Sequence, residues 1–187
     1  MKKEHDSWKI SDLVKKASQI EFPEFQREPS VWKVEKKQRL IDSILRDFDI
    51  SSIYFYERKS GKYDCIDGQQ RINAIWSFLG INDSDEDNEF HLKISNEIYS
   101  DTGRLIDADQ KRYKYLDKRF RDKINNYELN VVLLSEIGIP AELNLQFLRL
   151  QLGAALNAGE KLHAMNGDMR DLVFEEAKTW DYFKKIS

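Results

Sequence analysis

The stretch of sequence that decides the fold is Tyr63-Asp64-Cys65-Ile66-Asp67-Gly68-Gln69-Gln70-Arg71. Its first half continues a strand-like pattern that begins at Ile53-Tyr54-Phe55-Tyr56-Glu57, with a turn at Gly61 between the two runs. Two such runs around a glycine turn are typical of a β-hairpin. After Gly68 the apolar residues recur at helical spacing until Gly80. The stretch therefore predicts a strand that turns directly into a helix.

The flanking sequence completes a predicted α+β architecture. A long helix is indicated from Glu35 to Phe48, because its apolar residues fall on one stripe. The other predicted elements are a helix capped by Ser11, an edge strand or extended loop over 20–27 that contains Pro23, strands at 90–94 and 127–134, and helices at 117–124, 140–152, 158–165 and 168–178. We expect a small mixed sheet with helices over residues 1–135 and a helix-rich extension over residues 136–187.

Composition and charge exclude several classes of protein. The chain has 187 residues, of which 41% are hydrophobic, and its 30 basic and 33 acidic residues nearly balance. These values are typical of a folded domain and argue against a large basic face that coats nucleic acid. Cys65 is the single cysteine, which excludes a disulfide framework and a Cys/His zinc site. No apolar run approaches the ~20 residues that span a bilayer, so we expect a cytoplasmic protein without a membrane partner.

The turn after the predicted strand has the residue types of a phosphate site. A helix N-terminus presents backbone N–H groups without intrahelical partners and the positive end of the helix dipole, so it favours anions. Gly68 allows a tight turn there, and Gln69 and Gln70 add amide donors. Arg71 adds a two-pronged guanidinium that matches phosphate. The alternative is a plain capped helix, with Asp67 as its N-cap and Arg71 in solvent.

A second polar cluster precedes the long helix. Gln26 and Arg27 follow Phe25, and Trp32 comes shortly after them. An arginine and an amide beside aromatic rings can hold a nucleotide by phosphate pairing and base stacking. The alternative is that Phe25 and Trp32 are ordinary core residues, because large aromatic side chains mostly bury.

These stretches together resemble a known family. They run in the order Phe22-Pro23-Glu24-Phe25-Gln26-Arg27, then Trp32, then Leu40-Ile41-Asp42-Ser43-Ile44-Leu45, then residues 63–71. The order and the spacing resemble the N-terminal domain of the GmrSD-type restriction proteins. A weaker likeness continues through Phe147-Leu148-Arg149-Leu150 and residues 156–162.

The resemblance implies a ParB/sulfiredoxin-like fold and a nucleotide-hydrolysing module of bacterial defence against phage. On that basis a nucleoside triphosphate with Mg²⁺ is the expected ligand. The residues carried over as catalytic are Asp67, Gln70 and Arg71, and those carried over as nucleotide-binding are Gln26, Arg27, Trp32, Gly68 and Gln69. Relatives are often joined to an HNH nuclease, which we expect in a C-terminal region or a partner subunit, since this chain has no closely spaced His-Asn-His set.

The chain departs from the family pattern at three places. Gln151 stands where an asparagine usually follows Arg-Leu. Ile50-Ser51-Ser52-Ile53 replaces the usual Pro-x-Pro after the long helix. The chain also ends at Ser187, where relatives continue with more helices, so we expect a piece truncated from a longer protein.

Asp67 has two alternative roles in this site. Its carboxylate either holds the turn by hydrogen bonds to the backbone or binds Mg²⁺ together with phosphate. We favour the first, because one carboxylate rarely makes a magnesium site without phosphate ligands, and we assign no residue as a metal ligand. A rival pattern, Asp49 with Glu57-Arg58-Lys59, resembles the acid-and-lysine set of metal-dependent nucleases, although charged residues are common at a hairpin tip.

The alternative function is a non-enzymatic module that binds DNA or senses modified DNA and relays this to a nuclease domain. Arg27, Arg39 and Arg71 would then contact DNA phosphates. The slight excess of acidic residues, including an acidic loop over 82–89, argues against a large DNA footprint.

The most specific expectation concerns the effect of replacing Arg71. It stands in the first turn of a predicted helix, where the dipole disfavours a positive charge unless an anion is near. We therefore expect Arg71→Ala to abolish nucleotide binding. Its effect on stability should stay within about 0.5 kcal/mol, as for a surface substitution.

Overall fold

The computed structural model describes residues 1–23, 32–81, 90–95 and 105–136, together with Gln146. These ranges form a mixed sheet with helices, which confirms the α+β fold. The strands are β1 (Lys2–Lys9), β2 (Ile20–Glu21), β3 (Ile53–Glu57), β4 (Tyr63–Asp67) and β5 (Glu128–Ser135). The helices are α1 (Ile10–Lys15), α2 (Val34–Leu45), α3 (Gln69–Leu79) and α4 (Lys118–Asn126), with short 3-10 turns at Ala17–Gln19, Ile106–Ala108 and Tyr113–Tyr115.

The sheet has five strands in the order β1-β5-β3-β4-β2. β3 and β4 form the predicted hairpin, and β1 lies antiparallel to β5. β3 and β5 are parallel, with Ile53 opposite Val131, and the short β2 runs parallel to β4 at the other edge. The strand predicted at 127–134 therefore lies in the interior of the sheet, which explains its apolar sequence.

Helix α2 packs its apolar stripe on the core, as the spacing predicted. The buried stripe residues are Leu40, Ile41, Ile44 and Leu45. The helix ends at Leu45 rather than at Phe48, because Asp47 adopts a left-handed conformation with φ of 62°. Phe48 then lies beyond the helix and is 44% exposed.

A buried ion pair fastens α2 to residues 90–95. Arg46 Nε donates to Asp42 Oδ2 at 3.0 Å, and both side chains are almost inaccessible to solvent. Arg46 Nη2 donates to the carbonyl of Ser95, whose N–H in turn donates to Asp42 Oδ1. The pair thus satisfies backbone groups of a segment that has no regular structure of its own.

Two local predictions need correction, and one strand was not predicted. The strand that was not predicted is β1, because seven of its eight residues are polar and exposed and only Trp8 is buried, so it shows no alternation of apolar residues. Residues 90–94 do not form a strand, although Leu92 exchanges backbone hydrogen bonds with Gln110 and Lys111. Helix α1 begins at Ile10 without a side-chain cap, so Ser11 is not its N-cap.

Several predictions fall on residues outside the described ranges. These are the rest of the edge strand or extended loop predicted at 20–27, the acidic loop at 82–89, and the helices at 140–152, 158–165 and 168–178. The division into a core over 1–135 and an extension over 136–187 therefore stays a prediction.

Candidate functional site

The predicted strand-to-helix turn is present. β4 ends at Asp67, α3 begins at Gln69, and Gly68 joins them with φ of 105°. This left-handed conformation favours glycine. A Cβ at Gly68 would also lie 3.0 Å from the side chain of Ile53, so the turn packs directly on the start of β3. Gly68 is therefore required by both backbone conformation and space.

The turn opens a helix of 11 residues. The N–H of Ile72 donates to the carbonyl of Gly68, which begins the ladder of helical hydrogen bonds. The N–H groups of the preceding residues have no partner within the helix and carry its positive dipole end. This end of α3, together with the half-exposed amides of Gln69 and Gln70, is a suitable place for an anion.

Gln70 links the turn to the second predicted cluster. Its Oε1 accepts a hydrogen bond from the backbone N–H of Trp32 at 3.2 Å. Trp32 packs partly buried against the core, and Lys36 Nζ lies 4.2 Å from the centre of its ring. The structure therefore brings Trp32 and the turn together, whereas Gln26 and Arg27 lie outside the described residues.

Arg71 has different surroundings from those expected. Its Nη2 donates to Asp67 Oδ2 at 2.6 Å, and its Nη1 donates to the carbonyls of Ile50 and Ser51, each at 2.9 Å. The side chain is only 12% exposed. The anion that this helix position needs is thus supplied by Asp67 of the same turn. The expectation that Arg71 is a surface residue is wrong for this reason, and we now expect Arg71→Ala to lower stability by more than a surface substitution does.

Asp67 holds the turn through an ion pair with another side chain. Its carboxylate pairs with the guanidinium of Arg71, four residues later in α3, and the N-cap position of this helix is occupied by Gly68. Sequence reasoning missed the other partners of Arg71, the carbonyls of residues 50 and 51. The replacement of the family's Pro-x-Pro at this place was the one sequence signal that pointed there.

Cys65 lies just before the turn but offers no nucleophile. Its side chain is fully buried, and burial raises the pKa of the thiol well above its usual value. A neutral, inaccessible thiol neither attacks a substrate nor binds a metal ion. Cys65 is a core residue of β4.

The rival nuclease pattern does not assemble. Asp49 accepts a hydrogen bond from Asn130 before β3 begins, whereas Glu57 is the last residue of β3. The strand that lies between them in sequence is itself roughly 13 Å long. Arg58 pairs with Glu21 and Asp64 instead. Within the described ranges no three His, Cys, Asp or Glu side chains lie close enough to hold a metal ion.

Comparison with known proteins identifies the family. The family model for the N-terminal domain of the GmrSD restriction endonuclease matches residues 10–175. The chain belongs to the GmrSD N-terminal domain family. The match begins after β1 and includes the whole strand-to-helix turn over residues 67–71. No curated protein matches the chain.

Membership of the GmrSD N-terminal family indicates a restriction-type defence module. The resemblance seen in the sequence is thereby confirmed, and the candidate turn lies inside the matched region. Among the described residues no helix is both long enough and apolar enough to cross a membrane.

Proposed function

We propose that this GmrSD N-terminal domain binds and hydrolyses a nucleoside triphosphate, with the phosphates held at the Asp67–Arg71 turn. The observation that carries the proposal is the strand-to-helix turn at Gly68. It opens an 11-residue helix whose second residue, Gln70, accepts a hydrogen bond from the backbone N–H of Trp32. Backbone N–H groups and amide side chains at a helix N-terminus are suited to phosphate oxygens. A restriction-type role of the family supports a module that couples nucleotide hydrolysis to defence.

The residues present fit a nucleotide better than a metal ion alone. The start of α3 and the amides of Gln69 and Gln70 supply hydrogen-bond donors, while Asp67 supplies a carboxylate that is already paired with Arg71. Magnesium bound to the triphosphate would neutralise charge that develops during phosphoryl transfer. In this proposal the chain's own residues bind and orient the phosphates, and Gln70 positions the turn against Trp32.

Trp32 is the proposed neighbour of the nucleotide base or ribose. Its ring is half-buried and has a lysine ammonium, that of Lys36, on one face. Aromatic rings of this kind stack on bases, and a nearby lysine attracts the phosphates. Gln26 and Arg27 are proposed as further phosphate contacts on the basis of the sequence alone.

The test is phosphate release from ATP, GTP and CTP with Mg²⁺. We expect wild type to release phosphate from at least one of them, and Gln69→Ala and Gln70→Ala to reduce the rate by about tenfold or more, as for lost hydrogen bonds to a charged ligand. Gln19→Ala, an exposed glutamine in a 3-10 turn, is the matched control and should leave the rate unchanged. Equal rates in all four proteins would refute the site.

A DNA-binding module is the second candidate, because the exposed side of α2 carries basic residues. Lys36 and Arg39 are exposed there, and Trp32 lies just before the helix. This function predicts DNA binding that weakens steeply with salt, by roughly one unit of slope for each lysine or arginine lost. It also predicts no rise in melting temperature with nucleotide, so a thermal-shift screen distinguishes the two functions.

A further inference from the structure

Arg71 connects two parts of the chain that are separate in sequence. Its Nη2 pairs with Asp67 in the strand-to-helix turn over residues 67–71. Its Nη1 donates to the carbonyls of residues 50 and 51. These residues belong to the segment over 46–52, here termed the α2–β3 loop. The three hydrogen bonds occupy three of the five N–H donors of a guanidinium. A planar fork of fixed shape is suited to hold three oxygens at once.

The α2–β3 loop has a backbone that needs such support. Asp47 and Ser51 have φ angles of 62° and 64°, a conformation that non-glycine residues rarely adopt. Such residues persist only where the surrounding structure holds them. On its other side the loop is held by β5 and the residue before it. The hydroxyl of Tyr127 donates to the carbonyl of Phe48 at 2.5 Å, and Asn130 donates to Asp49.

We infer that Arg71 is a positioning residue, which fixes Asp67 and the α2–β3 loop beside the turn and is not itself a phosphate ligand. A phosphate that took the Nη1–Nη2 end of the Arg71 guanidinium would have to displace the Asp67 carboxylate and two backbone carbonyls, and the Arg71 side chain is only 12% exposed. The N–H groups at the start of α3 and the half-buried amide of Gln69 are the other donors of the turn that suit a phosphate. The ligand in this inference rests on the proposed function, whereas the link between Arg71 and the loop does not.

A positioning role couples the turn to the loop. Because one guanidinium holds both, whatever orders the turn also orders residues 47–52, and loosening the loop weakens the turn. Nucleotide binding should therefore slow amide exchange in the loop, which no proposed ligand contact reaches. An arginine that only bound phosphate would not have this effect.

The first experiment measures amide hydrogen exchange in the protein without nucleotide. Arg71→Ala should speed exchange over residues 47–52 by about tenfold or more, since hydrogen bonds to a charged group are lost. Exchange in β1 and α4 serves as the internal reference for global unfolding. Gln69→Ala, in the same turn, should leave the loop unchanged. If Arg71→Ala does not fold, Arg71→Lys takes its place and should give a smaller increase, because an ammonium cannot reproduce the fork.

The second experiment is a double-mutant cycle on the binding of ATP with Mg²⁺. Asp67→Ala and Arg71→Ala should each weaken binding, and the double variant should bind about as weakly as either single one, because the pair acts as a unit. ATP should slow loop exchange in wild type but not in the Arg71 variants. Additive losses, or loop exchange that Arg71→Ala leaves unchanged, would overturn the inference. Absence of ATP, GTP and CTP binding in wild type would refute the proposed function instead, and the exchange experiment would still decide the role of Arg71.

Discussion

Gly68 is the residue at which the geometry of the turn is most demanding. It combines a φ of 105° with a side chain, Ile53, that a Cβ would approach to 3.0 Å. We expect Gly68→Ala to lower the free energy of unfolding by about 2 kcal/mol, since both backbone strain and steric overlap are introduced. Urea denaturation of the purified variant measures this change.

Gly61 provides the matched control for that prediction. It also has a positive φ, of 79°, but a Cβ there would meet nothing within 4 Å. Gly61→Ala should therefore cost only the backbone strain, about 1 kcal/mol. Equal losses at Gly61 and Gly68 would show that contact with Ile53 contributes nothing.

Individual site residues were predictable from the sequence only where the interaction is local. Gly68 and the start of α3 follow from a strand pattern that changes into a helix pattern within a few residues. The partners of Arg71 do not, because residues 50 and 51 are 20 or more positions away and bind it through backbone carbonyls, which carry no sequence signature. The contact between Trp32 and Gln70, 38 positions apart, likewise depends on tertiary structure.

At the scale of elements, the buried pair in α2 should matter far more than an exposed pair in α1. Asp42→Ala leaves the guanidinium of Arg46 buried without its carboxylate, and we expect a loss of about 3–5 kcal/mol in the free energy of unfolding. Asp12→Ala removes a carboxylate from the exposed pair with Lys15, and its loss should be far smaller, because solvent screens an exposed pair. Comparable losses in the two variants would contradict the burial of Asp42 and Arg46.

The two-residue strand β2 should detach in acid before the rest of the sheet. The hydrogen bond from Lys62, together with the charge of Arg58, lowers the pKa of Glu21 below its usual 4.5. A lowered folded-state pKa means that the stabilisation is present above pH 4.5 and is lost as pH falls through the folded value. We expect amide exchange in β2 to rise over this interval, as measured at a series of pH values.

Glu21→Gln tests whether Glu21 is the group responsible. The variant keeps the size of the side chain but not its charge, so β2 should already exchange faster at neutral pH and should show little further change in acid. A pH dependence equal to that of wild type would assign the effect to another carboxylate, such as Asp64 on the other side of Arg58.

Elements with a strong apolar period were predictable, and those without one were not. The hairpin, α2, α3 and β5 all bury a stripe or run of apolar residues, and all were predicted. β1 was missed because pairing with β5, not a buried face, keeps it in place. Residues 90–94 were wrongly predicted to form a strand. Phe90, Leu92 and Ile94 are buried, yet the segment packs on the core without joining the sheet.

For the whole molecule, β1 is the strand that protects β5. All eight residues of β1 pair with β5, whose sequence Glu-Leu-Asn-Val-Val-Leu-Leu-Ser would otherwise present an apolar edge. Deleting residues 1–9 should therefore produce a protein that associates, since an exposed apolar edge strand pairs with other chains. Sedimentation velocity over a range of concentrations measures this association.

Lys3→Ala is the control for that deletion, because it removes a charge from β1 and keeps the strand. This variant should sediment as wild type does. A deletion variant that remains in the same assembly state as wild type at every concentration would show that β1 does not protect the sheet.

The place of β5 between β1 and β3 also determines the order in which the protein can assemble during synthesis. β3, β4 and α3 are contiguous over residues 53–79, so the strand-to-helix turn can form as soon as this segment leaves the ribosome. β1 is made long before β5, so it must wait for a partner that begins at residue 128. Contacts so distant in sequence form slowly. The nascent chain therefore carries the contiguous hairpin and α3 together with an unpaired strand β1, and that strand is available to other chains until translation reaches β5.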